Sequence, residues 1–337
     1  MDFFRSLRFF TAEDIERALP MAEAVEVAKE AFRQLSARQV VAPARTHLEI
    51  PEHGTTVLLM PSYLPGSKHI GLKLITLCAR NAERGLPLIF ALVIVADATT
   101  GKPLAVMDGS RLTALRTGAA SGAAADVLAR KDARVATIFG AGIQGRTQLE
   151  AVAAVRPIRE AYVIDLDAER AKKFAREMGE KLTLEVKVAD AAEALARADI
   201  ICTATTSSEP VFSDRDLKPG VHINAIGSYK PHVREIPGET VARAIIVVDQ
   251  REASLSEAGD LIIPLRQGLI DESRIQVEIG EILAGIKPGR TSDSEITFFK
   301  SVGHAVQDLA AAGSVLKKAE TLEHASHTLE RLPHDLP

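Results

Sequence analysis

The chain has 337 residues, of which 46% are hydrophobic and 26% charged, a composition typical of a globular protein with about two domains. Its 41 Lys and Arg residues and 45 Asp and Glu residues give a formal net charge of −4, so no general attraction to nucleic acid or to an anionic membrane is expected. The longest apolar run, Leu88 to Ala96, is far shorter than the roughly 20 residues of a membrane span. The N-terminus lacks a secretory pattern, and Cys78 and Cys202 match no zinc or CxxC spacing. These features predict a cytoplasmic protein without a bound metal.

The first third of the chain is predicted to form an α+β block. A capping-box pattern, Thr11-Ala-Glu-Asp14, and apolar residues at three- and four-residue spacing predict helix through the first forty residues. After Arg45 the pattern predicts strands at Thr56–Met60, Ile70–Leu77, Leu88–Ala96 and Leu104–Met107.

A second helical segment, residues 110–130, is rich in glycine and alanine. Glycine costs about 1 kcal/mol relative to alanine inside a helix. Gly118 and Gly122 therefore indicate that another backbone approaches this helix closely.

Beyond Arg134, short apolar strands alternate with helices such as 169–178 and 191–198. This rhythm predicts a parallel sheet covered on both faces, the doubly wound α/β class. The tail from Thr297 is predicted to be helical. The six predicted strands are Val135–Phe139, Ala161–Asp165, Leu184–Val188, Ile200–Thr203, His222–Ile226 and Ile245–Val248.

The sharpest local signal is Gly140-x-Gly142-x-x-Gly145, between an apolar strand and a helix predicted over 146–155. The first glycine allows a tight turn, the second admits a pyrophosphate close to the backbone, and the third permits helix–strand contact. Free N–H groups at the helix start face the phosphate. Asp165 ends the next strand and is expected to accept hydrogen bonds from the adenosine ribose. The motif predicts dinucleotide binding, with NAD favoured over NADP.

Two residues near Asp165 keep alternatives open. Asp167 fits either a cofactor contact or the N-cap of the following helix. Arg170 could reach the 2′-phosphate of NADP, which leaves NADP as the alternative cofactor.

Three cations, Arg45, Lys73 and Arg116, stand in apolar sequence surroundings. Each alone is compatible with a surface charge whose aliphatic stem lies on apolar groups. If buried, each needs an anionic partner, and a bound carboxylate would serve. The histidines show neither HxxxH nor HxH spacing, so no metal site is expected.

Six motifs occur in order along most of the chain. They are Arg45, Gly-Leu-Lys73, Asp108-Gly-Ser-Arg-Leu-Thr-Ala-Leu-Arg-Thr-Gly-Ala-Ala-Ser-Gly122, Gly-Ala-Gly-Ile-Gln-Gly145, Asn224-Ala-Ile-Gly-Ser and Phe299-Lys-Ser-Val-Gly-His-Ala-Val-Gln-Asp308. Together they resemble the ornithine cyclodeaminase/mu-crystallin family, which includes archaeal-type alanine dehydrogenase and cyclic ketimine reductases. The resemblance, over about residues 10 to 315, implies a Rossmann domain at 119–302. It also implies a discontinuous substrate and dimerisation domain, made of residues 1–118 and a C-terminal helix in 303–337, and a homodimer.

The resemblance also implies site residues. Arg45, Lys73 and Arg116 match the family's substrate-carboxylate and active-site cations, and Lys73 is the expected catalytic residue for proton handling. The expected cofactor-binding residues are Arg116, Thr117, Gly140, Gly142, Ile143, Gln144, Gly145, Asp165, Asp167, Gly227, Ser228 and Ser301.

Departures from the ornithine cyclodeaminase pattern separate the functional alternatives. Leu58 and Tyr229 stand where those enzymes carry a Glu and an Asp for amine chemistry, and Val233 replaces a family Lys. The predicted function is therefore an NAD(P)H-dependent reductase of a small cyclic ketimine, such as pyrroline- or piperideine-2-carboxylate, or of a related α-imino or α-keto acid. Its expected partner is a small amino-acid-derived carboxylate. Ornithine cyclodeaminase, alanine dehydrogenase and a mu-crystallin-like binding protein are the alternatives.

Overall fold

A computed structural model of the protein describes residues 6–329. The elements of the first third are β1 (Arg8–Phe10), α1 (Ala12–Ala18), α2 (Met21–Ser36), β2 (Thr46–Ile50), β3 (Thr55–Leu64), β4 (His69–Cys78), β5 (Ile89–Asp97), β6 (Pro103–Asp108) and α3 (Gly109–Leu128). They are followed by β7 (Val135–Phe139), α4 (Ile143–Val155), β8 (Glu160–Ile164), α5 (Ala168–Leu182), β9 (Glu185–Val188), α6 (Ala191–Arg197), β10 (Ile200–Thr203), β11 (His222–Ala225) and α7 (Gly238–Arg243). The last are β12 (Ile245–Val248), α8 (Arg251–Glu257), α9 (Gly259–Arg266), β13 (Val277–Glu278), α10 (Ile279–Leu283), β14 (Thr297–Lys300) and α11 (Ala305–Leu329).

The described residues divide into two compact units. The first comprises residues 6–20, 40–113 and 305–329, and the second comprises residues 21–39 and 114–304. The first unit is therefore discontinuous in sequence. Helix α2 groups with the second unit, whereas the predicted boundary places all of residues 1–118 in one domain. Within the described part of the chain, no helix is long and apolar enough to cross a membrane.

The first unit is built on a six-stranded sheet in the order β1-β6-β5-β4-β3-β2. All neighbouring strands are antiparallel except β1 and β6, which run parallel. Helix α11 packs on one face, where the Ser62 hydroxyl donates to the carbonyl of Ala305 and Gly71 lies against Leu309. The strands predicted between residues 56 and 107 are confirmed to within a few residues.

The start of the chain departs from the predicted continuous helix. The capping box is present, because the Asp14 N–H donates to the Thr11 hydroxyl and the Thr11 N–H donates to the Asp14 carboxylate. Residues Arg8–Phe10, however, form strand β1, so the helix prediction is wrong there. Their backbone groups pair with β6, a long-range partner that local periodicity does not reveal.

The second unit is built on an eight-stranded sheet in the order β13-β12-β14-β11-β10-β7-β8-β9. Every pairing is parallel, which confirms the doubly wound α/β class. Chain order reverses between β7 and β10, and ligands of such sheets bind beyond the carboxyl ends of the strands at this switch point.

The predicted helical tail from Thr297 is wrong at its start. Residues Thr297–Lys300 form strand β14 in the interior of the sheet, and the helix begins only at Ala305. All four residues of β14 are buried. Four residues are too few for periodicity to distinguish a buried strand from the first turn of a helix.

Helix α3 is packed as closely as its small residues predict. A Cβ added at Gly118 would lie 2.5 Å from the carbonyl oxygen of Thr147, on α4. A Cβ at Gly122 would lie 2.6 Å from a methyl group of Val25, on α2. The glycines are therefore required by close approach to α2 and α4.

Candidate active site

The glycine-rich loop follows β7 at the carboxyl edge of the parallel sheet. Gly140 has φ of +100°, and a Cβ there would lie 2.6 Å from the carbonyl oxygen of Ala204. At Gly145 a Cβ would lie 1.9 Å from the carbonyl oxygen of Gly140, whereas no atom lies within 4 Å of a Cβ built on Gly142. The first and third glycines are thus fixed by backbone contacts, and the second faces open space. This cradle fits a pyrophosphate group approaching Gly142.

Helix α4 begins directly after this loop. Gly142 is its N-cap, and no side chain caps the first turn. The N–H groups at Ile143, Gln144 and Gly145 have no partner within the helix, which leaves them for an anion. The side-chain oxygen of Gln144 is buried and lacks a hydrogen-bond partner among the described residues, so a polar ligand or water is needed there.

Asp165 follows β8 and is tied to the glycine-rich loop. One of its carboxylate oxygens accepts the Ala141 N–H at 2.7 Å, and the other accepts the Asp167 N–H at 2.9 Å. Asp167 is the N-cap of α5 and accepts the N–H groups of Glu169 and Arg170, which confirms its capping alternative. The Arg170 backbone hydrogen bond lowers the pKa of Asp167, so this carboxyl is ionised at neutral pH.

The Arg170 guanidinium lies between these two carboxylates. It is 3.3 Å from Asp167 and 3.9 Å from Asp165. Its charge is therefore already offset by two acids, whereas the 2′-phosphate of NADP would add a further negative group.

A buried carboxylate holds the loop that follows β14. Asp249 accepts the Ser301 hydroxyl at 2.7 Å and the N–H groups of Val302 and Gly303 at 2.9 and 2.8 Å. Gly303 has φ of +80°, and a Cβ there would lie 2.6 Å from the Arg116 guanidinium. The structure thus places two predicted site residues, Arg116 and Ser301, at one loop of the second unit.

The predicted contacts Thr117, Gly227 and Ser228 also belong to the second unit. Thr117 is buried on α3, and its carbonyl accepts from Gln148. Gly227 and Ser228 follow β11 at the same sheet edge as the glycine-rich loop, and both donate their N–H groups to Glu235.

In the first unit, Lys73 is buried inside the sheet face that carries α11. Its ammonium lies 2.6 Å from the carboxylate of Asp308, and both side chains are almost completely buried. A carboxylate at this distance stabilises the protonated ammonium. Of the two alternatives for Lys73, surface charge or buried cation with an anionic partner, the structure shows the second, and the partner is a residue of the protein itself.

Arg45 is half-buried and lies immediately before β2. Thr46 pairs with Leu59, and the next residue of β3, Met60, pairs with Lys73. Because directly paired residues of antiparallel strands share a face, Met60 and Lys73 lie on the same sheet face, and Arg45 immediately precedes the first paired residue of β2.

An apolar cluster lies on the same face as Lys73. Leu58 is buried in a cluster with Met60, Ile75 and Ala305. Leu58 occupies the position at which the resemblance implies a Glu in ornithine cyclodeaminases, so that carboxylate is replaced by a hydrocarbon side chain.

Comparison of the whole chain with known proteins identifies its family. Residues 6–323 match the ornithine cyclodeaminase/mu-crystallin family. The chain belongs to this family. It is 44% identical to Thermococcus litoralis Delta(1)-pyrroline-2-carboxylate reductase, whose structure was solved with NADH and L-proline; the match covers 94% of this chain and 98% of that one, with a TM-score of 0.90. It is 42% identical over 311 residues to a Delta(1)-pyrroline-2-carboxylate reductase of Bacillus cereus, covering 92% of this chain and 95% of that protein. It is also 37% identical to an archaeal alanine dehydrogenase dimer with bound NAD, covering 94% and 97% of the chains, with a TM-score of 0.87.

Membership of the ornithine cyclodeaminase/mu-crystallin family confirms the family predicted from sequence. These relatives are oxidoreductases, and two of them are named as reductases of a cyclic ketimine, Delta(1)-pyrroline-2-carboxylate. Their activity agrees with the predicted activity class. The individual site residues stay predictions.

Three acids of this family member were not predicted as site residues. Asp308 appears only as the end of a sequence motif, and its pairing with Lys73 depends on how α11 packs on β4. Asp249 and Glu235 each hold a loop at the carboxyl edge of the parallel sheet. A signal was available for Asp249 only, since it directly follows the apolar strand β12.

Two buried groups of the second unit are unsuited to catalysis. Burial raises the pKa of the Cys202 thiol to about 12, so it does not provide a thiolate at neutral pH. Burial lowers the pKa of His222 to about 3, and its ring nitrogens contact Thr297 and Asn224. Among the described residues, no group of three or more His, Cys, Asp or Glu residues is arranged to hold a metal ion.

Proposed function

We propose that the protein is an NADH-dependent reductase that converts Delta(1)-pyrroline-2-carboxylate, or a cyclic ketimine of similar size, to the corresponding cyclic amino acid. The observation that carries the proposal is the sheet face around Lys73, where one buried ion pair with Asp308 stands among apolar side chains. A planar ring with a single carboxylate suits such a surface, because it needs one cationic contact and otherwise apolar walls.

Arg45 and Lys73 are proposed to hold the substrate carboxylate. Both lie in the first unit: Arg45 immediately precedes β2, which pairs with β3, and Met60 of β3 pairs with Lys73. A guanidinium and an ammonium offer charge-assisted hydrogen bonds to the carboxylate oxygens. Asp308 keeps Lys73 protonated and fixes its position, so the ammonium is oriented before substrate arrives.

Reduction of the C=N bond adds a hydride to carbon and requires a proton on nitrogen. Bound NADH supplies the hydride. Lys73 is proposed to supply the proton, because its buried ammonium is a donor held by Asp308 in the same unit as Arg45. Asp308 stabilises that proton on Lys73 between turnovers and so acts through Lys73.

The cofactor is proposed to lie against the glycine-rich loop of the second unit. Gly142 provides the open approach, and the first turn of α4 provides N–H donors. Asp165 and Asp167 present two carboxylates beside the glycine-rich loop, and their repulsion of an additional phosphate supports NAD(H) as the preferred cofactor. The proposal includes a cytoplasmic location.

A homodimer is proposed on the basis of the outer face of the six-stranded sheet. In the register of the first unit, alternate apolar residues point away from α11, and many of them are exposed. They include Phe9, Leu48, Leu59, Phe90 and Leu92. A contiguous apolar patch of this kind marks an interface, and the archaeal alanine dehydrogenase similar to this chain is described as a dimer.

Light scattering after size exclusion tests the dimer. Leu92→Asp places a charge in the exposed apolar face and is expected to give a monomer. The matched control Ile286→Asp changes an exposed apolar residue of the second unit and should leave the dimer intact. A monomeric wild-type protein, or a dimer unaffected by Leu92→Asp, would contradict this part of the proposal.

The activity is tested by following NADH oxidation with Delta(1)-pyrroline-2-carboxylate, with the six-membered analogue, and with pyruvate plus ammonia. The proposal expects highest kcat/KM with a cyclic ketimine and about five- to thirtyfold preference for NADH over NADPH, since like-charge contact costs about 1–2 kcal/mol. Highest kcat/KM with pyruvate would instead identify an alanine dehydrogenase. NADH binding without turnover of any substrate would identify a binding protein.

A further inference from the structure

Glu235, a buried carboxylate of the second unit, accepts five hydrogen bonds. Its side chain is completely buried. One oxygen accepts the N–H and the hydroxyl of Thr205, both at 2.7 Å. The other accepts the Thr203 hydroxyl at 2.9 Å and the N–H groups of Gly227 and Ser228 at 2.8 and 3.2 Å. Three of these five donors are backbone amides of loops that carry no regular secondary structure.

These loops adjoin the glycine-rich loop. Thr205 follows β10, and its methyl group would lie 3.3 Å from a Cβ built on Gly140. A Cβ on Gly227 would lie 2.4 Å from the carbonyl oxygen of Thr205. Glu235 therefore connects the segments that follow β10 and β11, and the first of these packs against the turn that follows β7.

A second buried acid and a buried lysine fix Glu235 in turn. Asp260 accepts the N–H groups of Glu235 and Ile236 at 2.7 and 3.0 Å, and its other oxygen lies 2.8 Å from the Lys300 ammonium. Lys300 also donates to the carbonyl of Ser228 at 2.5 Å. Lys300 thus supports the same loop from the opposite side, and all three charged side chains are removed from solvent.

The donors around Glu235 require an acceptor at both of its oxygens. Burial and, after it, the nearby Asp260 raise the pKa of Glu235 above its usual value, although Lys300 and the Thr205 donors oppose this shift. Each carboxylate oxygen of Glu235 faces at least one backbone N–H group, and three such groups are present in all. A backbone N–H can only donate, so both oxygens must act as acceptors. This full coordination leaves Glu235 unable to bind the ammonium group of a diamine substrate.

We propose that Glu235 is a positioning residue for the cofactor, whose carboxylate holds the Thr205 and Gly227–Ser228 loops in the conformation that NADH binds. This inference rests on the proposed NADH-dependent function and deepens it. Glu235 acts through the loops and touches neither substrate nor reacting atoms.

The test is Glu235→Gln, which keeps the side-chain shape but replaces one acceptor with an NH2 group. In either amide orientation that NH2 faces a backbone N–H, since Thr205 lies at one oxygen and Gly227 at the other. Leaving a buried donor unsatisfied has a free-energy cost comparable to a lost hydrogen bond. We expect the NADH dissociation constant, measured by fluorescence titration, to rise by about tenfold or more.

Asp199→Asn is the matched control. Asp199 is also a buried carboxylate that accepts two backbone N–H groups, from Arg134 and Val135, but it lies at the opposite, amino edge of the same sheet. Both variants are expected to lower the melting temperature. Only Glu235→Gln is expected to weaken NADH binding, while Asp199→Asn binds NADH within about twofold of wild type.

Thr203→Val provides a milder variant should Glu235→Gln fail to fold. It removes one hydroxyl donor to Glu235 with little change of volume, and we expect a rise of about threefold in the NADH dissociation constant. Wild-type NADH affinity in whichever of these two variants folds, or equal loss of affinity in Asp199→Asn, would overturn the inference. Wild-type protein that does not bind NADH would instead reject the proposed function itself.

Discussion

At the scale of single residues, the site depends on charged groups whose partners are distant in sequence. Sequence reasoning predicts that Lys73, if buried, needs an anionic partner such as a bound carboxylate. The structure instead places it 2.6 Å from Asp308, which favours the ammonium. A substitution at Lys73 therefore affects stability as well as activity, because it leaves the buried carboxylate of Asp308 without its cation.

Lys73→Ala is expected to lower the free energy of unfolding by about 3 kcal/mol, since it removes one member of a buried ion pair. It should also lower kcat/KM by at least about a hundredfold, because a carboxylate contact and the proton donor are lost. The double variant Lys73→Ala with Asp308→Asn should regain part of the stability and none of the turnover. Urea unfolding and steady-state kinetics measure the two effects. Near-normal turnover of Lys73→Ala would show that the lysine has no part in the reaction.

His222 predicts a pH dependence of stability. Its pKa is about 3 in the folded protein and about 6.5 in an unfolded chain, so below pH 6.5 the unfolded state binds the additional proton. Stability is therefore lost as the pH falls from 6.5 toward 3, by up to about 1.4 kcal/mol per pH unit. His222→Gln does not titrate and should show about 2 kcal/mol less loss between pH 7 and pH 5. Equal pH profiles of the two proteins in urea unfolding would reject this assignment.

At the scale of elements, six of the eight strands of the parallel sheet were predicted from sequence and two were not. Strands β7, β10 and β12 agree with the predicted bounds at both ends. Strand β14 lies only four residues before α11 and was predicted as part of that helix, and β13, with two residues, was not predicted. Both are defined by pairing with β12, a long-range contact that local sequence does not encode.

The close packing of α3 reverses the stability change normally expected when a helical glycine is replaced by alanine. Glycine to alanine inside a helix normally stabilises by about 1 kcal/mol. Gly118→Ala should instead destabilise by about 1–3 kcal/mol, because the new methyl group meets the carbonyl of Thr147 at 2.5 Å. The control Gly313→Ala in α11 has no neighbour nearer than 3.4 Å to the new Cβ and should be neutral or stabilising. The free energy of unfolding in urea measures both, and an undiminished value for Gly118→Ala would contradict the packing.

At the scale of the whole molecule, sequence predicted the fold class, the family and the position of the glycine-rich loop. The glycine-rich motif can be recognised from one short segment, because it depends on local backbone geometry such as the positive φ of Gly140. The conformations of the loops held by Glu235 and Asp249 cannot be predicted in this way, since their amides donate to side chains from other parts of the chain. The discontinuous first unit was implied only by family resemblance, and the placement of α2 in the second unit was not predicted.

The central claim is that this family member reduces a cyclic ketimine in preference to cyclising a diamine. Leu58 is buried among Met60, Ile75 and Ala305, and Glu235 is fully coordinated, so neither position offers a carboxylate to a second ammonium group. Burying such a charge without a counter-charge costs several kcal/mol. The most direct measurement compares, on one preparation, NADH oxidation with Delta(1)-pyrroline-2-carboxylate and proline formation from ornithine. We predict a kcat/KM at least about a hundredfold higher for the ketimine, and a comparable or higher value for ornithine would contradict the account.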